Sequence, residues 1–285
     1  EYAHLPFVAE PGSKNKLSKR KLDKYLKNRD FAQVNEHGLA IAQALGLATS
    51  ADTFNPVIVD FYEQVGYLPE AILNYLMLLG WSLDDKTEFL TVQQMIDNFS
   101  LERVNKAPAS FDPKKLLAFQ EHYFQHWDAE RKVGFLLGFL QRAKLVAEPA
   151  TTADVHLLKR IAQAAGDRLK VGGDILQHAH FFQSDEALEF DQVAFTLRLR
   201  EPAEAGRLLR AFAAELAACA PFEPAVLEAC LQRFVADQGV SPQAIIHALR
   251  LAVTGKPVGF GLFETLAILG PQRCQRRILH ALALI

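Results

Sequence analysis

Five residues near the start of the chain, "KLSKR" at positions 16–20, combine the types and spacing best suited to chemistry. Two lysines and an arginine crowd around one serine. A polyphosphate whose charge shifts during a reaction needs mobile positive charge beside small hydroxyl or backbone donors. A lysine ammonium on its flexible stem supplies such a charge. The surroundings extend the pattern: residues 11–30 also carry Lys14, Lys21, Lys24, Lys27 and Arg29, opposed only by Asp23 and Asp30. Taken alone, a basic run of this kind is more often a solvated face, a targeting tag or a nonspecific nucleic-acid patch.

The rest of the composition makes this charge local. The net charge is -2, which excludes a global bias toward nucleic acid, so any anion site must be concentrated in one place. The three cysteines, Cys219, Cys230 and Cys274, form no Cys-x-x-Cys pair and leave an odd thiol under any pairing. That argues against a disulfide framework and for a reducing compartment. Apolar runs such as "AILNYLMLLGW" are too short to span a bilayer and no signal peptide is visible, so the cytoplasm is expected. The opening "EYAHLPFVAEPG" has no initiator Met and reads like the inside of a domain, so a piece of a longer protein is expected.

The elements that must position these residues read as helices almost throughout. "LPEAILNYLMLLGW" has Pro69 suited to a first turn, Gly80 as a stop, and Ile72, Leu76 and Leu79 at helical spacing. In "FDPKKLLAFQEHYF", Asp112 is an N-cap followed by Pro113. "SPQAIIHALRLAVTG" repeats the device: Ser241 caps, Pro242 opens and Gly255 stops. Ile245, Ile246, Leu249 and Val253 form its apolar face. "FTLRLRE" is the one candidate strand, by brief alternation. No fixed-period repeat appears, which counts against a solenoid. The expected fold is mostly α, with helical bundles in series. Soft boundaries at "VNKAPASFDP" (104–113) and "LKVGGDI" (169–175) divide it into regions 1–107, 108–172 and 173–285.

Four stretches in order resemble the glutamyl-tRNA synthetases, a family of class I aminoacyl-tRNA synthetases. "KLSKR" is similar to the family's Lys-Met-Ser-Lys-Ser signature, in the variant with Leu and a final Arg. "GYLPEAILNYLMLLGWS" (66–82), "FDPKKL" (111–116) and "AVTGKPVGFGLFETLAILG" (252–270) resemble its later segments. Each match is modest, but together they cover most of the chain.

The resemblance implies ATP-dependent attachment of glutamate to tRNA(Glu) by the parent protein. ATP, with Mg2+ beside it, tRNA(Glu) and glutamate are then the partners; no structural metal, no membrane and a monomer are expected. The loop implies Lys19 as the residue that stabilises the ATP phosphates, with Lys16, Ser18 and Arg20 flanking it. The surplus charge of Lys21, Lys24 and Lys27 then faces the tRNA acceptor side. Region 1–107 becomes the loop and stem-contact helices, and 108–172 and 173–285 two anticodon-binding helical units. The implied tRNA contacts are Arg168, in "RLKV…HAHFF", Arg250, in "ALRLAVTG", and the loop residues Gly259, Phe260, Gly261 and Leu262. Phe260 either supplies a stacking ring or fills a core, while Phe263 and Leu266 read as core.

Several features depart from the pattern. The family's His-Ile-Gly-His signature does not occur in the 285 residues, so the chain alone is expected to be inactive. Val171 and Gly172 stand where the family has Thr and Leu, which leaves the register at Arg168 open. A segment at about 28–58, including the helical "LAIAQALGL", is extra to the family pattern. His178 and His180, two apart, point to different sides of a helix rather than to one zinc ion. "EHYFQHWD" reads as an aromatic helix face. The competing reading is a catalytically inactive helical tRNA- or protein-binding module derived from a synthetase; a pure binding module has no need for Lys19.

Overall fold

A computed structural model describes residues 4–285. Among them the chain is helical, and pairing of extended segments is limited to two isolated bridges, from Ala9 to Lys16 and to Ser110. The helices are α1 (Leu22–Tyr25), α2 (Arg29–Ala44), α3 (Val59–Val65), α4 (Pro69–Gly80), α5 (Val92–Asn98), α6 (Pro113–His126), α7 (Ala129–Arg142), α8 (Thr152–Ala165), α9 (Gln192–Phe195), α10 (Ala205–Ala218), α11 (Pro224–Asp237), α12 (Gln243–Thr254), α13 (Leu262–Leu269) and α14 (Pro271–Ala283). The mostly α expectation is met. The chain divides into two compact units: Glu1–Lys144 with Asp167–Leu176, and Leu145–Gly166 with Gln177–Ile285. Contacts thus group residues 108–144 with the N-terminal unit.

In the N-terminal unit α6 packs on α4 and α2, and α3 packs on α2. The α6 N-terminus forms as expected: the Asp112 carboxylate accepts from the backbone N–H of Lys114 and Lys115, and Pro113 follows at the first position. The buried face of α4 is Ala71, Asn74 and Tyr75. Tyr75 meets Phe111 and Phe119 edge-on at 5.5 and 6.1 Å. The face that carries Ile72, Leu76 and Leu79, at the helical spacing read in the sequence, is therefore not the core face. Leu76 is exposed, and with Leu79 it lines an open apolar cleft of about 250 Å³ beside Leu5 and Phe7. The aromatic face of α6 is structural: Phe119 and Phe124 are buried, and the Tyr123 hydroxyl bonds Asn74 Oδ1 and the Leu90 carbonyl.

Gln120 joins the 167–176 segment to this bundle. Its Oε1 accepts from Leu68 N–H at 2.7 Å, and its Nε2 donates to the Lys170 carbonyl at 2.8 Å. Gly66 ends α3 at φ 97° and accepts from Gly172 N–H at 2.9 Å; a Cβ on Gly66 would lie 2.6 Å from Gly172 N. Only glycine allows both the left-handed turn and that approach.

In the C-terminal unit α14 packs on α10, α12 and α13, α11 on α10 and α13, and α8 on α13. The segment with strand-like alternation is helical: α9 continues through a π-helical stretch, Thr196–Arg200. Asp191 caps it by accepting from Ala194 N–H, and Phe195 and Leu199, four apart, are buried on one face. Helix α12 begins at Gln243 with no side-chain cap; the Ser241 contribution is its carbonyl, which accepts from Ala244 N–H. Its end is as expected, with Gly255 left-handed at φ 73°.

Candidate functional site

The "KLSKR" loop grows from a short folded-back segment. Leu17 N–H donates to the Val8 carbonyl at 2.9 Å, and Glu10 N–H to the Asn15 carbonyl at 2.8 Å. The turn between them is held by Ser13 Oγ, which accepts from both the N–H and the side-chain amide of Asn15. Ser110 fixes the base: its Oγ accepts from Gly12 N–H and donates to the Glu10 carbonyl. After the turn, Ser18 N–H donates to the hydroxyl of buried Tyr25 at 3.0 Å, and residues 19–21 make a single 3-10 turn.

The backbone of the loop is thus pinned while its cations are not. Lys16, Lys19 and Arg20 are exposed and have no side-chain partner among the described residues. Ser18 is half-buried. Lys21 and Lys24 are engaged: Lys24 Nζ lies 3.0 Å and Lys21 Nζ 3.8 Å from the Glu10 carboxylate, which is 1% exposed. The Lys24 hydrogen bond is the main reason the Glu10 carboxyl sits below its usual range. The charge surplus expected at Lys21, Lys24 and Lys27 is therefore smaller, because a carboxylate distant in sequence holds two of the three.

The second group of candidates lies between α12 and α13. Arg250 Nη1 donates to the Phe260 carbonyl at 2.8 Å, so this guanidinium braces the loop. Thr254 Oγ1 is 2.8 Å from the Arg250 carbonyl and 3.0 Å from that of Lys256, and Lys256 Nζ reaches the Gln177 carbonyl at 2.9 Å. Gly259 and Gly261 are exposed. Phe260 is 2% exposed and stacks parallel to Phe181 with ring centroids 5.6 Å apart, so its ring fills a core. Leu262 and Leu266 are also buried, and Phe263 is half-buried. Arg168, the remaining candidate, belongs to the N-terminal unit, where it is exposed at the end of the 3-10 turn Gly166–Arg168.

What supports the α12–α13 loop was not apparent as a site in the sequence. Asp185, largely buried, accepts from three arginines of α14. Arg277 Nε and Arg273 Nε reach Oδ1 at 2.7 and 3.1 Å, and Arg276 Nε reaches Oδ2 at 2.7 Å. Arg277 is fully buried, and its other nitrogens donate to the carbonyls of Val253 and His180 at 2.7 and 2.8 Å. Burial alone would raise the Asp185 pKa; the hydrogen bonds from Arg277, Arg276 and Arg273 outweigh it and hold the carboxyl below its usual range. Neighbouring His180 is pushed down to about 2, first by burial and then by the charges of Lys256, His178, Arg277 and Arg273, so it stays neutral. The i, i+3, i+4 spacing of Arg273, Arg276 and Arg277 on one helix is the signal from which a shared acceptor could have been read. Among the described residues no group of three His, Cys, Asp or Glu side chains is arranged to hold a metal ion, and no helix is long and apolar enough to cross a membrane.

A helical fold with unpartnered cations in one pinned loop and a braced glycine loop in another fits the class of proteins that bind an anionic ligand such as RNA. Family comparison agrees with that class. Residues 135–282 match the anticodon binding domain model, and residues 52–118 match the catalytic domain of class I tRNA synthetases (E and Q). The glutamate–tRNA ligase of Moorella thermoacetica is 31% identical over 277 residues, covering 97% of this chain and 49% of its own length. That of Roseiflexus castenholzii is 32% identical over 284 residues, covering 100% and 49%. The crystal structure of a glutamate tRNA ligase from Elizabethkingia meningosepticum, in complex with its amino acid, superposes with a TM-score of 0.73 over 99% of this chain and 51% of that one, at 23% identity. The chain belongs to the glutamate–tRNA ligase family, and it spans about half the length of the curated relatives it matches.

Proposed function

We propose that this chain is the tRNA-recognising C-terminal part of a cytoplasmic glutamate–tRNA ligase and that it lends a phosphate-handling loop to the parent's ATP site. The observation that carries the reading is the pinned loop with three free cations. Its backbone is held by Val8, Asn15, Ser110 and Tyr25, while Lys16, Lys19 and Arg20 project without acidic partners among the described residues. That donor set fits a polyphosphate: ATP contributes the phosphoanhydride that activates glutamate. Lys19 sets its ammonium against phosphate oxygens as negative charge builds there, Ser18 and Lys16 orient the same group, and Arg20 widens the positive field. Mg2+ bound with ATP would supply further positive charge at the phosphates.

In this reading region 1–107 forms the loop and stem-contact helices, and regions 108–172 and 173–285 are two anticodon-binding parts. Arg168 is the exposed, planar side chain best suited to a base edge. Gly259 and Gly261 offer backbone to a base, with Arg250, Phe260 and Leu262 holding the loop from behind. Equilibrium binding of the chain to a tRNA with a glutamate anticodon, and to the same tRNA with that anticodon replaced, tests it. The expected result is a loss of about 1–3 kcal/mol on anticodon replacement, and a similar loss for Arg168→Ala with the native anticodon only. Equal affinity for both tRNAs would overturn anticodon reading.

A further inference from the structure

Residues 28–51 lie outside both matched family models, yet α2 within them is a well-packed helix of 16 residues. Between α2 and the start of α6 runs a groove of about 560 Å³ with a mixed lining, in which Arg29, Asp30, Gln33, His37 and Lys114 stand beside Val34 and Leu117. Arg29 is the first residue of α2 and Lys114 the second of α6. Both backbone positions are fixed by caps. Asn28 accepts from Asp30 and Phe31 N–H, and Asp112 accepts from Lys114 and Lys115 N–H. The two cations therefore enter one groove from two rigid helix starts.

Several other cations of the same unit are paired with acids, whereas these two, like Lys16, Lys19 and Arg20 of the loop, are not so paired among the described residues. Lys115 is held by Glu88, Arg131 by Glu70, Lys170 by Glu121, and Lys21 and Lys24 by Glu10. Arg29 and Lys114 are exposed and have no side-chain partner among the described residues. Inside the groove, His37 Nε2 is 2.6 Å from buried Asp174, whose other oxygen accepts from Lys170 and Val171 N–H, so that acid is already satisfied. Asp30 is the remaining acid of the groove, and it lies in the first turn of α2, where the helix dipole stabilises it. The balance of Arg29 and Lys114 over Asp30 is positive, and exposed Lys27 continues it along the chain. A guanidinium and an ammonium beside a glutamine amide are the donor set that holds nucleic-acid phosphates.

We propose that the α2–α6 groove binds the phosphodiester backbone of an RNA, through Arg29 and Lys114 with Gln33 beside them. The extra segment then extends the RNA contact instead of serving only as packing. This rests on the tRNA-binding reading above and adds a site which that reading does not assign.

The test is the salt dependence of tRNA binding by the chain, measured by fluorescence anisotropy between low and physiological salt, with thermal melting to confirm folding. Two neutralised phosphate contacts predict that Arg29→Ala/Lys114→Ala lowers the slope of log K against log salt by about 1.5–2, while discrimination against a replaced anticodon is retained. Arg131→Ala, which removes a cation already held by Glu70, is expected to leave the slope in place. An unchanged slope in a folded double variant overturns the proposal while leaving anticodon reading intact. A slope lowered equally by Arg131→Ala also overturns it, because the effect would then be one of general charge. Loss of anticodon discrimination in the unsubstituted chain would refute the function instead. Failure of the unsubstituted chain to bind tRNA at any salt would overturn both.

Discussion

Asp185→Ala is the most informative single change in the C-terminal unit. The carboxylate neutralises Arg277, which is fully buried and cannot turn to water, and it also receives Arg273 and Arg276, which are partly exposed. Removing one partner of a buried ion pair costs about 3–5 kcal/mol, because the remaining charge is left uncompensated. Arg273 and Arg276 can reach solvent, so the lower part of that range applies, about 3 kcal/mol. Arg277 also holds the Val253 carbonyl at the end of α12, so the strain is transmitted to the loop that follows. For a unit of this size the loss corresponds to a fall in Tm on the order of 10 °C. The assay is urea or thermal unfolding followed by circular dichroism, with Asp185→Asn as comparator. Asparagine keeps an acceptor and the shape while removing the charge, so its cost is expected to be smaller. A loss below about 0.5 kcal/mol for Asp185→Ala would refute the argument that this carboxylate holds the unit together.

Acidification should act on the same region. His180 is neutral when folded, with its pKa pushed down to about 2, and titrates near 6.5 when unfolded. The unfolded state therefore binds more protons below pH 6.5, and stability falls as pH falls through that range. From pH 7.5 to 5.5 this residue alone costs about 1.4 kcal/mol, which His180→Phe should abolish in denaturant titrations at the two pH values; an unchanged difference would contradict it. The depressed Asp185 carboxyl adds stability that is present above its unfolded pKa of about 4 and is lost in stronger acid, so Asp185→Asn should flatten the unfolding profile there. Gly255→Ala should cost about 1–3 kcal/mol in the same assay, because φ is 73° and the new Cβ would sit 2.0 Å from the Glu189 carbonyl oxygen. Lys19→Ala should stay within about 0.5 kcal/mol of the parent in stability, since the side chain is exposed, while ATP-dependent glutamate activation falls in the full ligase. A large drop in Tm would show Lys19 to be structural.

The helices and their ends were the most legible part of the sequence. Asp112–Pro113 and Gly255 act locally, through a cap and a left-handed φ, and need no distant partner. The "FTLRLRE" alternation misleads because Phe195 and Leu199 bury their side chains at a spacing of four, as part of a helix. The α4 spacing finds the helix but not its buried face: Ile72, Leu76 and Leu79 share a helical face, while Tyr75 takes the core by meeting Phe111 and Phe119. Of the candidate site, the types of residue in "KLSKR" were readable, but their pairing was not. Glu10 neutralises Lys21 and Lys24 from across a turn, and Phe260 is buried by Phe181, 79 positions away, a contact set by the fold.

Anticodon reading is the proposed function of this chain. Footprinting by nuclease or hydroxyl radical on a tRNA with a glutamate anticodon, bound by the chain, tests it most directly. Protection of the anticodon loop, weakened by Arg168→Ala, is expected; a bound tRNA whose anticodon loop stays fully cleavable would contradict anticodon reading.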